Sequence, residues 1–181
     1  MKAWFLPLLG IASFSLLGGD EQAFTLKSPS FQDGGALPAK YAMKKITGGE
    51  NVSPALSWNN APAGTKSFAL TCVDVHPVAR NWVHWMVTGI PASGSSLGEG
   101  ASGAEMPKAS VELKNSFGFA GWGGPQPPPG SGKHKYVFTI YALSVETVQL
   151  GQAPVPEEKF IDALNGKVLA KAAISGTFER K

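Results

Sequence analysis

Glycine and proline divide this chain into short segments from one end to the other. Its 181 residues include 22 glycines and 14 prolines, about one residue in five, against roughly one in eight in average proteins. Both residue types favour turns and interrupt regular helices and strands. A chain divided in this way has little room for long helices, and we expect short strands separated by turns.

Three apolar runs predict the longer strands. Residues 67–73 are apolar on both faces and predict a central strand. Residues 135–143 predict another, with Tyr136, Phe138 and Ile140 on one face. The side chains of residues 82–88 would point alternately to the two faces of a strand, so a regular strand there would place His84 and Trp85 on opposite faces. Short strands of this kind predict a mainly β fold, an antiparallel sandwich or barrel.

The two ends of the folded region carry weaker signals. Residues 23–26 predict a short first strand. Near the C-terminus, Pro156 begins a predicted helix, and Gly166 lies where a helix cap is expected. Residues 167–173 are rich in alanine and fit a second short helix, whereas residues 172–178 fit a last strand equally well. The pattern leaves these two interpretations open.

Residues 1–19 differ from the rest of the chain. Lys2 supplies a positive charge, and the apolar run over residues 3–17 is shorter than the roughly 20 residues that cross a membrane as a helix. This pattern predicts a secretory signal peptide, so we expect one domain over residues 20–181 in a periplasmic or secreted protein. Leu17 lies where the cleavage site prefers a small residue, and an uncleaved membrane anchor is the alternative.

Charge and cysteine content narrow the function further. The net charge is only +3, and Lys44 and Lys45 are the only adjacent basic pair before the C-terminal Arg180 and Lys181. Nucleic-acid binders cluster their basic residues, so we expect no nucleic-acid partner. Cys72 is the single cysteine and lies within an apolar run. We therefore expect a buried thiol and no internal disulfide.

Polar side chains concentrate around Asp74, which follows the apolar run over residues 67–73. His76 and His84, two of the three histidines, come within ten residues of it. An ionisable side chain between tryptophans is costly without a partner, and Asp74 is the obvious partner for His84. A carboxylate beside an imidazole favours the imidazolium form, which binds anionic groups. The alternative is a core histidine bonded to a backbone carbonyl.

The segment from Gly121 to Gly130 is too rich in glycine and proline to join a sheet. It predicts a rigid surface loop, where glycines let a ligand approach the backbone closely. The loop leads directly into His134 and Tyr136, which share one face of the following strand and so point toward one pocket. A polyproline recognition segment for another domain is the competing interpretation.

Together these segments resemble the phosphatidylethanolamine-binding proteins, in particular the bacterial Raf-kinase-inhibitor-like branch of that family. The resemblance covers residues 24–178 and is carried by blocks in the same order. The blocks are Asn51–Trp58 with Pro62–Ser67, Val83-His84-Trp85 with Ile90-Pro91, and Gly124–Pro128 with His134-Lys135-Tyr136.

The resemblance implies an antiparallel two-sheet β-sandwich with short C-terminal helices and a small anion-binding pocket at one edge. It places seven residues at that pocket: Asp74, His76, His84, Gly124, Pro127, His134 and Tyr136. His76 stands where the family motif has a second aspartate. This replacement makes the predicted pocket less negative than the family pattern.

The function predicted from these residues is non-enzymatic binding of a small phosphate-type or carboxylate group, such as phosphoethanolamine or a phospholipid head group. Histidine and tyrosine donors with loop amides would hold the anion. We expect no cofactor, and membrane contact only through lipid head groups or an uncleaved anchor. The resemblance also implies a protein partner, since relatives inhibit kinases or proteases.

The same residue types are compatible with two other classes of function, a metal site and a serine hydrolase. Asp74, His76 and His84 are residue types that bind zinc or iron, so a metal site is the first alternative. Ser96, in Gly94-Ser95-Ser96-Leu97-Gly98, formally matches the nucleophile of a serine hydrolase. Such a serine needs a helix directly after it, and Glu99–Gly103 is a poor helix former. We interpret that match as chance.

Overall fold

The computed structural model describes residues 22–148, 150 and 155–181, so the predicted signal peptide lies outside the described residues. Within these residues, eight strands and one α-helix follow each other, with a 3-10 turn at Ala39–Tyr41. The elements are β1 Thr25–Lys27, β2 Leu56–Asn59, β3 Ser67–Asp74, β4 Trp82–Pro91, β5 Ser96–Leu97, β6 Val111–Glu112, β7 Lys133–Leu143, α1 Glu157–Leu164 and β8 Val168–Glu179.

The strands form two antiparallel sheets, which confirms the predicted mainly β two-sheet architecture. The small sheet has the order β1-β2-β5, and the large sheet has the order β6-β4-β3-β7-β8. Strand β3 lies at the centre of the large sheet, between β4 and β7. This position explains why the sequence of β3 is apolar on both faces.

Each face of the large sheet is covered by a different layer. On one face, Trp58 of the small sheet packs with Phe68, Trp85 and Phe138 of the large sheet in the main core. On the other face, Phe160 of α1 packs into a second cluster, which also contains Leu164, Met86 and Leu143. The sandwich therefore carries its helix outside the larger sheet.

The C-terminal segment settles the ambiguity left by the sequence. Helix α1 begins after Pro156, and Gly166 has a φ of 72° just beyond its end, as the cap pattern predicts. The predicted second helix is wrong, because residues 168–179 form β8 and pair with β7 along its length. Pairing with a neighbouring strand outweighs the helix preference of the alanines.

Strand β8 lies at an edge of the large sheet, and the chain covers that edge. Residues 33–37 run beside it: Gly34 N donates to Ser175 O, and Leu37 N donates to Thr177 O, each at 2.7 Å. Gly176 makes this close approach possible, because a Cβ there would lie 2.5 Å from a methyl carbon of Leu37. Among the described residues, no helix is long and apolar enough to cross a membrane.

Candidate functional site

A cavity of about 780 Å³ opens at one end of the three central strands of the large sheet. Because the strands are antiparallel, the end of β3 lies beside the beginnings of β4 and β7. The three strands thereby bring Asp74, His84, His134 and Tyr136 together on the cavity wall, and the loop after Gly121 adds Pro127. These are five of the seven predicted site residues.

Asp74 is bonded to a different histidine from the one expected. Its Oδ2 lies 2.6 Å from His134 Nδ1, and its Oδ1 accepts from the backbone N–H of His76 at 3.0 Å. The prediction that Asp74 pairs with His84 is therefore wrong. The direct neighbour of the Asp74 carboxylate is the histidine that lies beside it across the β3–β7 pair, since Asp74 is opposite Tyr136.

The hydrogen bonds of His134 favour its charged form. The Ser131 hydroxyl donates to Pro128 O at 2.6 Å, so its oxygen is left to accept from His134 Nε2 at 2.9 Å. The other nitrogen, Nδ1, faces the Asp74 carboxylate. Donation from both ring nitrogens is the pattern of an imidazolium, and in that form the buried contact with Asp74 is an ion pair.

His84 is placed by a β-bulge in β4. The register with β3 shifts between Cys72 and Val73: Val73 lies opposite Val83, Cys72 lies opposite Trp85, and His84 is the extra residue. The consecutive side chains of His84 and Trp85 therefore both contact Trp122, instead of alternating as a regular strand would require. Bulges often re-aim a side chain in this way near functional sites.

His84 is neutral rather than the expected imidazolium. Its Nδ1 is bonded to Gly123 O, and since a carbonyl only accepts, Nδ1 carries the proton. Burial lowers the pKa of His84 to about 4, although the Gly123 carbonyl and the charge of Asp74 oppose this shift. The alternative interpretation, a histidine bonded to a backbone carbonyl, is therefore correct for Nδ1. The His84 ring nevertheless lines the cavity.

Tyr136 is the most unusual polar group in the cavity. Its hydroxyl is buried and has no hydrogen-bond partner among the described residues. Burial, with the nearby charge of Asp74, raises the pKa of the Tyr136 phenol, so the hydroxyl keeps its proton. The tyrosine and His84 rings are 5.0 Å apart between centroids. A buried hydroxyl without a partner is costly, and a ligand in the cavity would supply one.

Two predicted site residues lie outside the cavity lining. Gly124 N donates to Asn51 Oδ1 at 2.7 Å, and a Cβ at Gly124 would overlap the backbone carbonyl of Tyr41. This glycine therefore allows the loop to pack closely. His76 is not among the residues that line the cavity, and its ring stacks on His134 with centroids 3.9 Å apart. Ligand contacts by these two residues stay predictions.

The structure adds residues that the sequence analysis did not assign to the site. Lys45 and Arg80 line the cavity and bring positive charge, while Trp82 and Phe117 form an aromatic rim with ring centroids 5.3 Å apart. Arg80 lies in the loop that follows Asp74, so its closeness to Asp74 along the chain could have indicated it. Lys45 comes from a distant loop, and its sequence position gives no such signal.

The alternative functions find no support in this geometry. Within the described part of the chain, no group of three or more histidine, cysteine or acidic residues is placed to hold a metal ion. Ser96 lies on the edge strand β5, with turns after it in place of a helix. Ser131, His134 and Asp74 are connected as in a hydrolase triad, but the Ser131 hydroxyl donates to Pro128 O and not to the histidine.

The structure thus defines an antiparallel β-sandwich with a polar cavity at one end of its central strands. Comparison with known proteins gives its family. The family model described as phosphatidylethanolamine-binding protein matches residues 27–179. A UPF0098 protein of Methanothermobacter thermautotrophicus is 37% identical over 156 residues, which cover 86% of this chain and 98% of that protein. The chain belongs to the phosphatidylethanolamine-binding protein family.

Relatives from Escherichia coli give the same result in sequence and structure. The UPF0098 protein YbhB is 37% identical over 131 residues, covering 70% of this chain and 82% of YbhB. The crystal structure of YbcL, described as a new member of the mammalian PEBP family, matches with a TM-score of 0.80 and 34% identity. That match covers 87% of this chain and 99% of YbcL. The predicted bacterial branch is thereby confirmed.

Proposed function

We propose that this chain is a non-enzymatic binding protein whose cavity holds a small phosphate- or carboxylate-bearing group. The observation that carries the proposal is the Tyr136 hydroxyl, which is buried at the cavity wall without a partner among the described residues. The raised pKa of this phenol keeps its proton available for donation. A ligand oxygen at this position would satisfy the hydroxyl.

The charges around the cavity support an anionic ligand. The negative charge of Asp74 is compensated by His134 at 2.6 Å, and His84 is neutral. Lys45 and Arg80 then leave the cavity with an excess of positive charge. Lys45 also lines a neighbouring depression of about 690 Å³ together with Lys133, Arg180 and Lys181, which extends the positive surface.

The cellular setting and partners are part of the same proposal. The signal-peptide pattern over residues 1–19 supports export to the periplasm or beyond the cell. One relative, LppC of Mycobacterium tuberculosis, is named as a lipoprotein and is 35% identical over 158 residues. A phospholipid head group would then be an accessible ligand. Inhibition of a kinase or protease, which the family resemblance implies, stays a prediction.

Calorimetric titration of the purified protein with O-phosphoethanolamine, inorganic phosphate and acetate tests the proposal. Wild-type protein should bind at least one of them, and Tyr136→Phe should weaken binding by roughly 10- to 100-fold, because it removes one hydrogen bond to a charged group. Tyr141→Phe is the matched control, since Tyr141 lies on the same strand but packs in the cluster beneath α1. The proposal fails if wild-type protein binds none of the three compounds.

A further inference from the structure

Residues 33–37 cover only part of the outer edge of β8. They run parallel to the strand, and Thr177 forms two backbone bonds with them: its N–H donates to Gly35 O and its O accepts from Leu37 N, each at 2.7 Å. The chain then leaves the edge and forms the 3-10 turn at Ala39–Tyr41. Strand β8 continues to Glu179, so the cover stops before the strand does.

The backbone of Glu179 is left open at this edge. Ser175 and Thr177 both turn their backbone groups outward, toward residues 33–37. Because these groups alternate along a strand, Glu179 is the next residue to face outward, and Arg180 O faces the other way, toward Gly130 N at 3.5 Å. Among the described residues, no group outside the β7–β8 pair bonds to Glu179 N or O. Open edges of this kind are templates for another strand.

A depression of about 690 Å³ lies beside the open edge. It is lined by residues 36 and 37 of the cover, by residues 45–47, and by residues 177–181 at the end of β8. Leu37 and Ile46 give it buried apolar side chains, and Phe178 is half-buried. Its volume is within the range of binding sites for small ligands, so there is room for a short extended segment where the cover stops.

The charges of this depression favour an acidic partner. Lys45, Lys133 and Arg180 bring three positive charges, and Glu179 is the one acidic side chain of the lining. Lys133 lies opposite Glu179 in the β7–β8 pair. Lys181 carries a carboxylate as well as its ammonium group and adds no net charge. Two positive charges are therefore left for the side chains of a partner.

We propose that an extended acidic segment of a partner protein binds here, by adding a strand to the edge of β8 beside Glu179. In this mode of recognition the backbone bonds supply affinity, while pockets for alternate side chains supply specificity. Residues 33–37 already lie along β8 in this way. The inference goes beyond the proposed function, because it involves no group of the cavity except Lys45.

Three peptides that carry the same fluorescein label test the proposal by fluorescence anisotropy. The first alternates glutamate and valine over five residues, the second alternates lysine and valine, and the third is the first with its inner amides N-methylated. Wild-type protein should bind the first peptide and not the second. The N-methylated peptide keeps every charge but cannot donate backbone bonds, so its affinity should be lower by roughly 10-fold or more.

Two substitutions of Glu179 test the backbone contact from the side of the protein. Glu179→Ala removes a like charge and should bind the acidic peptide at least as tightly as wild type. Glu179→Pro removes the same side chain and also the outward N–H, which proline lacks, while an edge strand tolerates such a proline. Glu179→Pro should therefore bind several-fold more weakly than Glu179→Ala. Thermal unfolding checks that both variants are folded.

A second pair of substitutions locates the peptide on the strand. Arg180→Gln should weaken binding of the acidic peptide by a few-fold, since it removes one exposed charge contact. Lys171→Gln is the matched control, because Lys171 is exposed on the same strand but is not among the residues that line the depression. Binding of phosphoethanolamine should be unchanged in Arg180→Gln, since Arg180 does not line the cavity.

Each opposite result overturns the proposal. If wild-type protein does not bind the acidic peptide, or binds the N-methylated peptide equally well, strand addition is wrong, and the second result would leave only a surface that attracts anions. Equal affinities of folded Glu179→Ala and Glu179→Pro would have the same meaning. An equal loss in Lys171→Gln and Arg180→Gln would place the peptide elsewhere on the edge. None of these results bears on anion binding in the cavity, which phosphoethanolamine measures separately.

Discussion

The buried pair of Asp74 and His134 makes a prediction that two substitutions of Asp74 test against each other. Asp74→Ala removes the carboxylate and leaves His134 Nδ1 without a partner, whether or not the ring keeps its second proton, together with an unpaired N–H of His76. Breaking one half of a buried ion pair costs about 3–5 kcal/mol. We expect Asp74→Ala to lower the free energy of unfolding by that amount.

Asp74→Asn should lower the free energy of unfolding much less, because its amide can form a fully paired hydrogen-bond network in which no group is charged. The asparagine oxygen replaces Oδ1 and accepts from the His76 N–H. Its amide then donates to Nδ1 of a neutral His134, whose Nε2 still donates to Ser131. Every polar group keeps a partner, so we expect a loss of about 1 kcal/mol, comparable to one ordinary hydrogen bond.

Urea unfolding at pH 7, followed by tryptophan fluorescence, gives both free energies by linear extrapolation. Asp162→Ala on the exposed side of α1 is the control, and such surface changes usually stay within about 0.5 kcal/mol. Equal losses for Asp74→Ala and Asp74→Asn would refute the proposed hydrogen-bond assignment. So would a loss below 1 kcal/mol for Asp74→Ala, since it would mean that water replaces the carboxylate without cost.

Three further predictions concern single groups. Burial lowers the pKa of His84 from 6.5 to about 4, so the unfolded state binds a proton at higher pH than the folded state does. The free energy of unfolding should therefore fall by up to about 3 kcal/mol as the pH is lowered from 6.5 to 4. Urea unfolding at several pH values measures this dependence, and His84→Gln should weaken it. Gly124→Ala should lower the thermal midpoint by more than about 5 °C, because its Cβ would overlap the Tyr41 carbonyl, and an unchanged midpoint in calorimetry would contradict this. Cys72 is buried and burial raises its pKa, so a thiol reagent should label it only after urea unfolding; rapid labelling of native protein would show that the strand opens.

The sheet was largely predictable from sequence because its signals are local. The apolar character of residues 67–73 reflects burial on both faces. Alternation along β7 correctly placed His134 and Tyr136 on one buried face. The last strand was ambiguous, since alanines near residue 170 fit both helix and strand. Only the presence of β7 beside this segment decides between them.

The site was harder to predict because its geometry is not local. The bulge that brings His84 and Trp85 to the same side is a property of the β3–β4 register, which period-two alternation does not reveal. The pairing of Asp74 follows from which strand lies beside β3. Sequence proximity favoured His84, ten residues away, but His134, 60 residues away along the chain, is the spatial neighbour.

Some polar groups of the cavity lie on strands of the sheet and others lie on loops, and this difference affects the rates of ligand binding. His84 and Tyr136 lie on β4 and β7, the two strands that flank β3 in the large sheet. The sheet already restricts their motion, so they lose little conformational entropy when a ligand binds. Lys45 and Arg80 lie on loops at the mouth. Charges at a rim mainly set the association rate and its dependence on salt, whereas buried contacts set the dissociation rate. Substitutions at Lys45 or Arg80 should therefore change how often ligands enter, while the sheet determines how long each one stays.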